Sequence, residues 1–102
     1  RLALKSEVNI RIHFCAGILV LIAGAYLQFS VEKLCILLLT IGMVITAEML
    51  NSAIEFALDA VFHNRFSRLV GMAKDISAGA VMFITAIAVT IGLLLFVPEF
   101  IG

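Results

Sequence analysis

The sequence predicts an all-α membrane protein, three transmembrane helices packed as a bundle, and three observations carry that prediction. The chain is 64% hydrophobic and only 14% charged, against about 45–50% and about 25% for a soluble domain. Its charges leave three long uncharged runs at residues 14–31, 34–47 and 76–98. The first two runs are joined by a connection too short for anything but an antiparallel hairpin. With 102 residues the chain makes one small domain, and a net charge of zero offers no basic field for nucleic acid.

The first run holds 18 uncharged residues, just enough to cross a hydrocarbon core of about 30 Å, and a span is expected over about 12–31. Gly17 and Gly24, seven apart on one face with Ala16 and Ala23 beside them, read as ordinary packing positions between membrane helices. The second run has only 14 residues, but no Pro or Gly interrupts residues 47–59. One helix over about 33–62 can therefore carry the apolar run and an amphipathic extension. The third run has 23 residues and predicts a span over about 74–98, with Ser77-Ala-Gly-Ala80 permitting close helix approach. Cys15 and Cys35 lie in apolar runs without ligand spacing and read as small buried hydrophobes. A cleaved signal peptide is not expected, because the first run lacks a small-residue cleavage site and two more apolar segments follow.

Orientation follows from the basic residues. Arg1, Lys5 and Arg11 precede the first span and Arg65, Arg68 and Lys74 precede the third, while the other side holds only Lys33. The positive-inside rule puts the N-terminus and the second connection in the cytoplasm.

Against this background Glu48, Asn51, Glu55 and Asp59 stand out. At about 100° per residue, offsets of 3, 7 and 11 from Glu48 fall at about −60°, −20° and +20°, so all four share one helical face. Ionisable groups near bilayer depth are costly and point to function. In the predicted topology Glu7, Asn9 and Arg11 of the first helix and Lys74-Asp75 of the third come to the same end. Acids grouped with a lysine suit a hard cation such as Mg²⁺ with substrate phosphates; no Cys or His at ligand spacing suits Zn²⁺. Glu48 lies deepest and suits a general base acting on a hydroxyl within the membrane. Lys74 can neutralise a transferring phosphoryl group. No GxxxxGK[ST] loop or GxGxxG turn is present. Blander readings stand beside these: Asp59 and Glu7 as solvated acids, Asp75 as a first-turn acid favoured by the helix dipole, His13 as an interfacial residue rather than a proton relay, and His63 as a loop residue.

The motif Glu48-Met-Leu-Asn51-Ser-Ala-Ile-Glu55, followed by Asp59 and by Ala73-Lys74-Asp75, resembles the signature of the prokaryotic diacylglycerol kinase family. The three spans and the N-terminal Glu7-x-x-x-Arg11 fit as well, so the resemblance covers nearly the whole chain. It implies a homotrimer in the bacterial inner membrane, with active sites between subunits at the cytoplasmic face. It further implies transfer of the γ-phosphoryl of ATP to a lipid hydroxyl with Mg²⁺. On the matching positions, Glu48 takes the catalytic acid role, Glu7 and Glu55 the metal, and Asn51, Lys74 and Asp75 the nucleotide and phosphates. Ser67 is grouped with the last three, and Asp59 and Arg11 stand as supporting residues. Two departures mark this sequence. Where the family loop often has Tyr-His, this chain has Phe66-Ser67, and the amphipathic surface helix that usually precedes the first span has no counterpart in these residues.

Arg11-Ile-His13 and Asp75-Ile-Ser-Ala-Gly-Ala80 look more like the undecaprenol kinase branch than the diacylglycerol kinase branch, although both lipids present one primary hydroxyl at the interface. The rival reading is a non-enzymatic small membrane subunit whose acids line a proton or ion path. It predicts acids spread through the membrane depth, whereas residues 76–98 hold none.

Overall fold

The computed structural model describes residues 2–63 and 67–101, with side chains from residue 8 onward. Three helices account for nearly all of it: α1 (Leu2–Tyr26), α2 (Val31–Phe62) and α3 (Arg68–Ile101). Each is long and apolar enough to cross a membrane. At 1.5 Å per residue the 34 residues of α3 measure about 51 Å, which matches the 53 Å long axis of the bundle.

Local chemistry sets the helix ends. Gln28 takes a left-handed conformation (φ 62°). The Gln28 amide donates to Ala25 O and the Phe29 amide to Gly24 O, both at 3.0 Å, which is the Schellman arrangement that ends α1. The hydrophobic residue after the turn, Phe29, is buried against the Phe96 ring at 5.0 Å. Ser30 then caps α2 by accepting from the Lys33 amide, and Glu32 places a negative charge in the first turn. At the far end of α2, His63 sits at φ 53° with its amide on Asp59 O. Ser67 caps α3: its hydroxyl oxygen accepts from the Val70 amide at 3.1 Å. Two hydroxyls inside the apolar runs are satisfied within their own helices, Thr40 donating to Ile36 O and Thr90 to Ala86 O.

The central helix, α2, packs on both neighbours. Its contact with α1 is close because of glycine. A Cβ at Gly17 would lie 2.6 Å from Ile41 Cγ2, and one at Gly24 would lie 3.1 Å from both Leu37 and Phe29. Gly79, in the small-residue segment of α3, faces open space instead. Few side chains are buried, chiefly Phe29, Leu37, Ile45 and Val70, while large apolar residues cover the outside, as expected where lipid is the solvent. Cys15 and Cys35 are free and exposed on that outer surface rather than buried, because their helical positions turn away from the glycine-lined contact.

Candidate active site

Three cross-helix polar contacts line the half of the bundle that runs from the middle of α2 to its C-terminal end, where α1 begins and α3 begins. His13 Nε2 on α1 lies 2.9 Å from Glu48 Oε2 on α2. Asn51 Oδ1 on α2 accepts a short hydrogen bond from the Ser77 hydroxyl on α3. Two turns further along α2, Lys74 Nζ meets Asp59 Oδ1 at 2.7 Å. The polar stripe of α2 is thus divided: Glu48 is held by α1, and Asn51 and Asp59 are held by α3. Each contact satisfies a polar group that would otherwise face hydrocarbon, and such bonds are worth about 0.6 kcal/mol on average in membranes, up to about 1.7.

Glu48 and Asp59 are four-fifths buried, with 19% of each side chain exposed, while His13 and Lys74 reach outward at 35% and 36%. The acids therefore sit inside and their partners at the rim. Glu55, between them on the stripe, is half-buried and has no hydrogen-bond or ion-pair partner among the described residues. Asp75 is exposed at the same end. The Ser67 hydroxyl oxygen is committed to capping α3, though its proton is free to be donated. Arg11 is exposed but engaged in an interaction. The Glu7 side chain and the whole of Phe66 lie outside the described residues, so the expected Glu7–Glu55 pair does too.

Two apolar depressions flank the polar end. One, about 360 Å³, runs between the three helices and is lined by Gly17, Val20, Ile41, Ala88 and Gly92, among others, with His13 at its polar end and Phe96 at the other. The second, about 920 Å³ and more open, lies between α2 and α3, with Ala47, Leu50, Ala80 and Ile84 in its lining. An apolar groove lined by His13, the partner of Glu48, can hold a lipid chain with its polar end near that carboxylate.

The carboxylate donors are of the kind a hard cation takes. Among the described residues, no three His, Cys, Asp or Glu side chains come together as a metal cage. Mg²⁺ does not require one, since one or two carboxylates plus substrate phosphates commonly suffice. An unpartnered, half-buried Glu55 fits that role.

Sequence reasoning missed the His13–Glu48 pair, having set His13 aside as interfacial. The pair follows from the helix register, which only the structure shows. In the α1–α2 hairpin Gly17 meets Ile41 and Gly24 meets Leu37, and continuing that antiparallel pairing outward by about one turn on α1 and two on α2 brings His13 to Glu48.

Comparison with known proteins gives a consistent result. The family described as prokaryotic diacylglycerol kinase matches residues 1–96. A protein of Bacillus subtilis (strain 168) named undecaprenol kinase is 37% identical over 95 residues, which cover 93% of this chain and 76% of that protein. A protein of a Synechocystis species named diacylglycerol kinase is 32% identical over 100 residues, 98% of this chain and 57% of that protein. No solved structure matches.

Proposed function

The chain belongs to the prokaryotic diacylglycerol kinase family, and from that premise we propose that it is an ATP- and Mg²⁺-dependent lipid kinase. It phosphorylates the hydroxyl of a membrane lipid alcohol, diacylglycerol or undecaprenol, as a homotrimer at the cytoplasmic face of a bacterial inner membrane. The observation that carries this reading is the four-fifths buried Glu48 carboxylate on the polar stripe of α2, paired with His13 where that residue lines an apolar groove, with further acids and Lys74 along the same stripe.

In this reading the lipid lies with its chain along the bundle and its hydroxyl at Glu48. The hydroxyl oxygen attacks the γ-phosphorus as its proton passes to the Glu48 carboxylate. The bond from the γ-phosphorus to the bridging oxygen breaks, and ADP leaves with that oxygen. Lys74, held by Asp59 at 2.7 Å, offers its remaining donors to the phosphoryl oxygens, with Asn51, Asp75 and Ser67 on the nucleotide and phosphates. Asp59 and Arg11 support these residues. Glu55 and Glu7 hold the cation; the antiparallel register that sets His13 against Glu48 carries position 7 to the level of Glu55. The cation, when bound, offsets phosphate charge. Phosphoryl transfer needs chiefly positioning and charge neutralisation, and this site is built of groups that provide both. The chain spans only part of both relatives, so the full activity is assigned to the whole protein.

The test is direct. Purified protein in micelles receives ATP, Mg²⁺ and either dioleoylglycerol or undecaprenol, and phosphorylated lipid is measured. Product with one lipid names the substrate; no product with either lipid, from an intact trimer, refutes the kinase reading.

A further inference from the structure

The geometry points to His13 as the residue that positions the Glu48 carboxylate, a role that rests on the kinase reading and extends it. Glu48 borders 14 uncharged residues of α2, where an unpaired carboxylate is expensive. Lys74 at this end is engaged by Asp59. The partner that Glu48 has instead comes from another helix: His13 Nε2, 2.9 Å from Oε2. That contact occupies one carboxylate oxygen and leaves Oε1 for a substrate hydroxyl. Nucleophile-activating bases are commonly held in this way by a third group that fixes their orientation.

The scaffold around the pair is built for fixed placement. His13 and Gly17 are one turn apart on α1, and Ile41 and Glu48 are two turns apart on α2, so each pair shares a helical face. The Gly17–Ile41 approach, with room for no Cβ, holds the helices in the register that sets imidazole against carboxylate. His13 also lines the groove between the helices. A lipid chain lying there therefore ends beside the pair, with the carboxylate already oriented. In this role Nε2 carries a proton and donates to Oε2, and no proton is transferred through the imidazole.

The experiment compares His13→Ala and His13→Gln with the wild-type trimer in micelles, with folding checked by thermal unfolding. A hydrogen bond to a charged group at a reacting centre predicts that His13→Ala lowers kcat about 10- to 100-fold, with KM for ATP changed less than about threefold. Gln places an N–H donor close to where Nε2 stands, so His13→Gln restores most of the lost turnover. A purely structural role predicts no such rescue at equal stability. Imidazole ¹⁵N shifts give a readout apart from activity: the Nε2-protonated tautomer in wild type, and a mixture in Glu48→Ala. Unchanged kcat in His13→Ala overturns the role, as does His13→Gln as slow as His13→Ala, or a tautomer indifferent to Glu48→Ala. Absence of lipid product from wild type overturns the kinase reading and this role with it, so the two failures are distinct.

Discussion

Gly17→Ala tests whether helix approach, rather than polar chemistry alone, builds the site. The new Cβ would stand 2.6 Å from Ile41 Cγ2, with ordinary contact beginning at 3.4 Å, so about 0.8 Å must be found. Ile41 Cγ2 is attached at a branched β-carbon whose χ1 is nearly fixed in a helix. The methyl cannot swing aside, and the helices must part instead. Such overpacking costs about 1–3 kcal/mol, against which the better helix propensity of Ala returns about 0.5–1 kcal/mol. A net loss of about 0–2.5 kcal/mol is therefore expected. One turn away, a parting of about 0.8 Å would stretch the 2.9 Å His13–Glu48 contact to about 3.7 Å, beyond the hydrogen-bond range of about 2.7–3.2 Å. Misplacement of this size can cost up to about 100-fold in rate. The assay is denaturant unfolding in micelles together with kcat for lipid phosphorylation. Gly79→Ala, whose Cβ would meet nothing within 4 Å in this structure, serves as the comparison. Full stability and full turnover in Gly17→Ala would refute the reasoning.

Lys74→Met should lower kcat/KM for ATP by at least about 10-fold, since it removes charge aimed at the phosphates, and nucleotide titrations at fixed lipid will show it. Asp59→Asn leaves that charge in place and removes only a partly exposed ion pair, so unfolding should shift by less than about 1 kcal/mol. At the opposite end, Lys33 bridges to Glu99 at 3.1 Å and lies 5.1 Å from the Phe29 ring centre. Glu99→Gln should therefore leave turnover unchanged and alter stability by under about 1 kcal/mol, measured in the same assays. Chelation with EDTA should abolish turnover, and added Mg²⁺ should restore it if Glu55 and Glu7 hold a cation brought with the nucleotide.

The three helices were legible because uncharged runs of bilayer length stand out in a chain that lives in lipid. The polar face of α2 was legible for the same reason: Glu48 is conspicuous beside 14 uncharged residues. What each polar group touches was not. Helical periodicity places Glu48, Asn51 and Asp59 on one stripe, yet Glu48 turns to His13 while Asn51 and Asp59 turn to Ser77 and Lys74. That division depends on how α1 and α3 are set against α2, which glycine contacts and end caps decide together. Gly17 and Gly24 looked like ordinary packing positions, and their spacing alone did not reveal that they fix the register bringing His13 to Glu48. The end of α1 was hidden as well, because Gln28 adopts a left-handed turn that glycine more often provides.

The decisive variant for the role of Glu48 as base is Glu48→Gln. The amide keeps the size of the side chain and an oxygen able to accept from His13 Nε2, but it cannot take a proton from a lipid hydroxyl. The variant should fold, keep near-normal ATP affinity and show a kcat lower by about 10²- to 10⁴-fold, the usual contribution of a general base. A folded Glu48→Gln variant that phosphorylates lipid at the wild-type rate would contradict that role.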